Sequence, residues 1–128
     1  MYKGILNNWL SIVGVQEVEK RDVAKYGIIS ISKKVKKDVL KINGLVEKPN
    51  KNKTQIRYGI LGIYVLKPNI FKSIKMTKKD KSGEIQMTNA LKILLKIKKN
   101  IYSCNFIGTC YDLVNKLGLV KAIIDLSL

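Results

Sequence analysis

One short stretch constrains the fold more than any other. Residues 58–66 read YGILGIYVL and carry no charged side chain. A strand with water on one face alternates apolar and polar residues, whereas a strand covered on both faces is apolar throughout. The stretch therefore predicts a strand buried on both faces. Gly59 and Gly62 within it indicate close approach of another backbone or of a ligand.

Strands and helices are mixed along the rest of the chain. Residues 19–25 are polar and predict a connector or a helical turn, and Asn43-Gly44 predicts a turn or a bulge within a strand that ends before Pro49. Further strands are predicted at Ser11–Val18, Ile28–Ile31 and Val39–Glu47, and a late one carries Tyr102, Cys104 and Phe106 in alternation. Helices are predicted at Tyr2–Leu10, after Pro68, from a capping Thr88, and at the end with Leu117, Val120 and Ile124. The fold class is therefore α/β or α+β.

The helix after Thr88 carries a regular apolar stripe. Met87, Leu91, Leu94 and Leu95 follow the i, i+4, i+7, i+8 spacing of one helix face. This stripe predicts core packing and carries no functional claim. The stretch Lys75–Gly83 before it predicts an exposed loop.

The charge balance is strongly basic, with a formal net charge of +16. All 25 basic residues except Arg21 and Arg57 are lysines, and they are spread along the whole chain. Nucleic-acid sites favour the planar fork of arginine, often with interleaved aromatic residues. The charge therefore favours a solvated lysine-rich surface over a nucleic-acid site. The uncharged run near the start, residues 4–16, is too short to span a membrane.

Several classes of chemistry are excluded by composition. The chain has no His, which excludes imidazole bases and Ser-His or Cys-His catalysis. Cys104 and Cys110 are too few for a Cys-only zinc site and predict free thiols in a cytoplasmic protein. No Gly-x-Gly-x-x-Gly or Gly-x-x-x-x-Gly-Lys loop is present. The 128 residues make one domain or a piece of a larger one.

Five short strings nevertheless occur in a fixed order. They are Lys25-Tyr26-Gly27, Val46-Glu47-Lys48-Pro49, Gly62-Ile63-Tyr64-Val65-Leu66, Gly83-Glu84-Ile85-Gln86-Met87-Thr88-Asn89-Ala90 and Tyr111-Asp112-Leu113-Val114-Asn115-Lys116-Leu117-Gly118. The series resembles the C-terminal part of the bacterial UTP–glucose-1-phosphate uridylyltransferases, whose strings are KYG, VEKP, GRYVL, GEIQLTDA and YDxGxKLG. One such string is a modest signal, but five in order at compatible spacing are strong. The resemblance covers nearly the whole chain.

The resemblance implies the C-terminal part of a Rossmann-like nucleotidyltransferase fold, a mixed β-sheet flanked by helices. Residues 1–128 would then form the sugar-binding portion of a larger α/β domain. The family forms UDP-glucose and pyrophosphate from UTP and glucose 1-phosphate with Mg²⁺. The expected partners are glucose 1-phosphate or UDP-glucose, a separately encoded N-terminal half, and a second copy of the chain.

The resemblance also implies roles for single residues. Gly27 would let a backbone N–H approach the sugar, and the backbone of Ile60 would contact it as well. Glu47 would accept hydrogen bonds from sugar hydroxyls, and Lys48 would hold the phosphate. Asp112 matches a late aspartate near the metal and phosphates, where a carboxylate suits Mg²⁺.

Each of these residues also has a plain structural explanation. Glu47 and Lys48 also fit a solvated strand end. Asp112 also fits an ion pair with Lys116 or a cap on the terminal helix. Gly27 also fits an ordinary turn glycine.

The sequence departs from the family pattern in two ways. The family's N-terminal half, with its Gly-rich loop, uridine pocket and principal metal-binding aspartate, has no counterpart here. Within the matched part, the family's Ser-Asn, Arg, Asp and Gly are replaced by Ile56-Arg57, Ile63, Asn89 and Val114. Two hypotheses follow: the substrate half of an enzyme, inactive alone, or a truncated remnant without catalysis. A basic nucleic-acid module is a third, less favoured alternative.

Overall fold

The structure, a computed structural model, describes residues 10–47, 58–97 and 99–127. The helix predicted for Tyr2–Leu10 lies outside this part of the chain apart from Leu10, and so do Lys48 and Pro49. Five strands are present: β1 (Ser11–Glu17), β2 (Gly27–Lys36), β3 (Val39–Glu47), β4 (Tyr58–Val65) and β5 (Ile101–Asn105). A 3₁₀ helix (Lys20–Lys25) precedes β2, and three α-helices follow: α1 (Ile70–Met76), α2 (Met87–Lys96) and α3 (Lys116–Ser127).

The strands pair in the order β1-β4-β2-β3-β5, and β5 returns to β1. The β1–β5 pair is parallel, while the other pairs are antiparallel. The predicted α/β class with a mixed sheet and flanking helices is therefore confirmed. The bulge predicted at Asn43-Gly44 is also confirmed, because Ser30 pairs with Gly44 and Ile31 with Ile42, which leaves Asn43 as the extra residue.

One face of the sheet packs against α1 and α2. Strand residues on this covered face are buried together with Ile70 of α1 and with Leu91 and Leu94 of α2. Met87 and Leu95 pack at the edge of the same cluster, so the predicted apolar stripe is confirmed. The strand residues of this cluster are Val13, Val15, Ile29, Ile42, Leu45, Ile60 and Ile101.

The prediction that Thr88 caps α2 is wrong. The helix begins at Met87, and extended Gln86 occupies the N-cap position without a side-chain cap. Thr88 therefore lies inside the first turn, where it is buried. The apolar stripe fixes which face of α2 turns inward, and Thr88 falls on that face.

The prediction that β4 is buried on both faces is also wrong. Ile60 is buried on the covered face, but Ile63 and Val65 are 56% and 50% exposed. Successive side chains of a strand point to opposite faces, and α1 and α2 pack on one face only. The other side of β4 carries apolar residues that no described helix covers.

The late strand and the terminal helix are confirmed, with one change in detail. The strand β5 ends at Asn105, so Phe106 follows it, and its fully buried residues are Ile101 and Ser103. In α3, Ala122 is the buried residue, while the predicted apolar positions remain exposed. No helix in the described ranges is both long and apolar enough to span a lipid bilayer.

Candidate functional site

A pocket of about 290 Å³ opens where β2, β4 and α2 meet. We call it the central pocket. Three chain segments that are distant in sequence line it, and each overlaps with one of the five strings. Its lining residues are Lys25, Tyr26, Gly27, Ile60, Leu61, Gly62, Tyr64, Gln86, Met87 and Thr88.

Strand pairing brings three predicted site residues close together. Gly27 is the first residue of β2 and pairs with Glu47 at the end of β3. The next residue of β2, Ile28, pairs with Gly59, which directly precedes Ile60. Gly27 and Ile60 therefore line the central pocket, and the backbone of Glu47 lies beside Gly27. Gly27 begins a strand, so the ordinary-turn alternative is wrong.

The two glycines of β4 serve different purposes. A Cβ on Gly59 would lie 3.0 Å from Cγ1 of Val18 and 3.1 Å from Cβ and Cγ of Tyr26, so side chains approach it closely and not the predicted backbone. At Gly62 an added Cβ would meet nothing within 4 Å, so no backbone of the described residues approaches it closely, and the approach of a ligand stays a prediction. Instead Gly62 has φ of +84°, a conformation that favours glycine.

This conformation belongs to an irregularity in the β1–β4 ladder. Val13 pairs with Tyr64 and Val15 with Ile60, so residues 61–63 stand opposite Gly14 alone. Bulges of this kind bend a strand and redirect its side chains. Here the bulge lies at the pocket wall formed by β4.

The loop that leads into the α2 side of the pocket is organised by one carboxylate, Asp80. Its Oδ1 accepts hydrogen bonds from the backbone N–H of Ser82 at 2.8 Å and of Glu84 at 3.0 Å, and from the Ser82 hydroxyl at 2.6 Å. Its Oδ2 accepts one from Nε2 of Gln86 at 2.7 Å. These donors, led by the Ser82 hydroxyl and Gln86, lower the pKa of Asp80 to about 2. The ionised Asp80 therefore orients Gln86, which lines the central pocket.

The pocket lining includes one positively charged side chain and one phenol, Lys25 and Tyr26. Nζ of Lys25 lies 3.0 Å from Oδ1 of Asp22, and this hydrogen-bonded pair raises the pKa of Lys25. Burial is the main cause that raises the pKa of Tyr26. At neutral pH the pocket therefore presents an ammonium group beside a neutral hydroxyl.

Asp112 lines a second cavity of about 470 Å³ that shares Lys25 and Tyr26 with the central pocket. Its Oδ1 accepts the backbone N–H of Val114 at 3.1 Å. Asn115 accepts the N–H groups of Leu117 and Gly118 at 2.9 and 3.2 Å, so Asn115 rather than Asp112 caps α3. Among the ion pairs of the described residues none joins Asp112 to Lys116.

The turn after Asp112 depends on a glycine. A Cβ on Gly118 would overlap the backbone carbonyl oxygen of Asp112. The start of α3 can therefore fold against Asp112 only when residue 118 has no side chain. This contact accounts for the last glycine of the fifth string.

The described residues do not by themselves fit a magnesium site. Nowhere in the described ranges do three or more Cys, Asp or Glu side chains form a metal-binding group. Asp112 offers one exposed carboxylate, and nearby Asp22 is paired with Lys25 at 3.0 Å and Arg21 at 3.8 Å. Mg²⁺ is commonly bound by one or two carboxylates together with substrate phosphates. Asp112 would supply one ligand at most.

Some pocket residues were not assigned from the sequence. Lys25, Tyr26, Gln86 and Thr88 lie within the quoted strings, so the strings were the signal. Asp80 lies outside all five strings, and only its hydrogen bonds reveal its role.

Comparison with known proteins identifies the relatives of this chain. The nucleotidyl transferase family model matches residues 7–127. A UTP–glucose-1-phosphate uridylyltransferase of Mycoplasma genitalium is 41% identical over 111 residues, covering 86% of this chain and 38% of the relative. One of Bacillus subtilis is 38% identical over 117 residues, covering 91% of this chain and 39% of the relative. The chain thus spans about two fifths of the length of these curated relatives.

Solved structures give the same result. An apo UDP-glucose pyrophosphorylase matches 98% of this chain and 44% of its own, with a TM-score of 0.88 and 33% identity. A UDP-glucose pyrophosphorylase complexed with UDP-glucose matches 98% of this chain and 46% of its own, with a TM-score of 0.87 and 33% identity. The architecture described above therefore recurs within chains more than twice as long.

Proposed function

Because the chain belongs to the nucleotidyl transferase family, we propose that it supplies the sugar-phosphate side of a UTP–glucose-1-phosphate uridylyltransferase site. The supporting observation is the central pocket, where three of the five family strings meet although they are distant in sequence. The names of the relatives support the same substrates.

In this proposal the pocket binds the sugar through backbone groups and the phosphate through cations. Gly27 and the backbone of Ile60 would contact the sugar ring, because a glycine leaves room for close approach. Glu47 would accept hydrogen bonds from sugar hydroxyls, and Lys48 would hold the phosphate. Lys25, a charged lining residue of the pocket that also pairs with Asp22, would add a second cation.

These residues would orient one reactant of the transfer. A phosphate oxygen of glucose 1-phosphate forms a bond to the α-phosphorus of UTP, and the bond from that phosphorus to the pyrophosphate group breaks. Positioning and charge neutralisation supply most of the catalysis in such reactions. Mg²⁺, when bound, would neutralise phosphate charge, with Asp112 as one ligand and the remaining ligands from outside this chain.

The chain alone is proposed to be inactive, because it spans about two fifths of its curated relatives. Activity would require the rest of the nucleotidyl transferase fold. The alternative is a remnant that folds but binds no sugar nucleotide. The free thiols of Cys104 and Cys110 support a cytoplasmic setting.

Titration of the isolated chain with UDP-glucose, followed by amide NMR, distinguishes these alternatives. We expect shifts at Gly27, Ile60 and Gln86 that saturate. A Gly27→Ala variant should weaken binding at least ~10-fold, because the added methyl group occupies the place of the ligand.

Gly44→Ala is the matched control on the partner strand. An added Cβ at Gly44 would lie 3.5 Å from Ser30, an ordinary contact, so binding should not change. No saturable shifts in the parent chain, or equal weakening by both variants, would contradict the proposed sugar site.

A further inference from the structure

The face of the sheet away from α1 and α2 contains an apolar groove of about 460 Å³. We call it the open groove. Strands β1, β4 and β5 form its floor, and the chain after β5 forms one side. Its lining residues are Ile12, Gly14, Ile63, Val65, Cys104, Phe106 and Ile107.

The groove brings several exposed apolar side chains together. Ile63 and Val65 are at least half exposed, and Ile107 is 83% exposed. Large contiguous apolar patches on soluble proteins mark interaction sites. A strand that is apolar on both faces, such as β4, is also characteristic of a sheet covered on both sides.

We propose that the open groove is the docking surface for the remaining part of the nucleotidyl transferase fold. The relatives carry the architecture of this chain within chains of which it spans only 44–46%. More than half of each of these chains therefore lies outside the match. That unmatched part is the proposed partner of the open groove. The proposal depends on family membership and fold, and it does not depend on the proposed reaction.

Charge argues for this partner over a second copy of the chain. Each copy carries a formal net charge of +16, so two copies meeting at the groove would combine like charges. Such repulsion disfavours association, most strongly at low salt. A partner that is less basic than this chain would reduce this repulsion.

Co-expression tests the proposal. The full chain is produced together with a separate tagged polypeptide that carries the part of the Mycoplasma genitalium relative outside the match. We expect the two to copurify as a 1:1 complex without nucleotide. Ile107→Lys and Val65→Lys should each weaken the complex at least ~10-fold, because docking would bury an unpaired charge.

The control is Val35→Lys, which also replaces an exposed apolar residue, 46% exposed on β2 and outside the groove. It should leave the affinity unchanged, and circular dichroism of all three variants should match the parent chain. Absence of a complex, or equal weakening by Val35→Lys and Ile107→Lys, would overturn the proposal. A dimer of the chain alone that Ile107→Lys dissociates would assign the groove to a second copy instead. Complex formation without UDP-glucose synthesis would leave the docking surface standing and reject only the proposed reaction.

Discussion

The two faces of the sheet differ in what covers them, although both are apolar. On the covered face, Val13, Ile29 and Leu91 are completely buried among strands and helices. On the other face, Ile63 and Val65 line a groove and remain half exposed. Strand β4 contributes apolar side chains to both faces. The two faces therefore differ in whether helices cover them, and not in the apolar character of their residues.

The covered face and the open groove therefore have different roles. The covered face holds α2 against the sheet, and the first residues of α2 form a wall of the central pocket. The stability of the chain and the shape of the candidate site thus depend on the same packing. Ile63 and Val65 of the open groove lie outside this packing and are exposed for a partner.

The largest expected effect is a cavity in the covered face. Leu91→Ala removes a fully buried side chain and should lower the free energy of unfolding by about 2–5 kcal/mol. Ile63→Ala, in the open groove, should cost less than about 1 kcal/mol because its side chain is already half exposed. Urea denaturation monitored by circular dichroism measures both. Equal losses would show that the groove is as tightly packed as the core.

A shape-conserving pair gives a smaller effect. Val13→Thr places a hydroxyl group in the completely buried core and should cost about 1–3 kcal/mol. Val65→Thr, on the neighbouring strand in the open groove, should stay within about 0.5 kcal/mol of the parent chain. The same denaturation assay applies, and a loss at Val65 as large as that at Val13 would refute the contrast between the faces.

The smallest expected effect is local and pH-dependent. The pKa of Asp80 is about 2 in the folded chain and 3.8 for an unperturbed aspartate, so ionised Asp80 stabilises the loop before α2 above pH 3.8. This stabilisation should be lost as the pH falls from about 4 through about 2, while the covered core stays intact over the start of that range. The side-chain amide signals of Gln86 in NMR spectra report the change.

Asp80→Asn is the matched variant at neutral pH. The amide keeps one oxygen for the backbone donors but offers no second acceptor to Nε2 of Gln86. Gln86 signals should therefore broaden or shift at pH 7, with global stability little changed. Unaltered Gln86 signals in this variant would show that Asp80 does not orient the pocket wall.

Local pattern predicted most elements but not what covers them. The stripe on α2 fixed its inward face because helix periodicity reports directly on packing. The apolar run of β4 identified a strand, but apolarity does not reveal whether a covering layer is present, so the burial of Ile63 and Val65 was predicted wrongly. The roles of Asp80 and Asn115 depend on hydrogen bonds formed only by the folded loops. Residues of three family strings line the central pocket, but their order along the chain does not show that they converge in the fold.

The central claim is that this chain supplies the sugar side of a uridylyltransferase site. The most direct measurement fuses the unmatched part of the Mycoplasma genitalium relative to the full chain and assays UDP-glucose formation from UTP, glucose 1-phosphate and Mg²⁺. We expect turnover in the fusion, none in the chain alone, and loss of turnover in a Glu47→Ala fusion that remains folded. A folded fusion without activity, or full activity after Glu47→Ala, would contradict the claim.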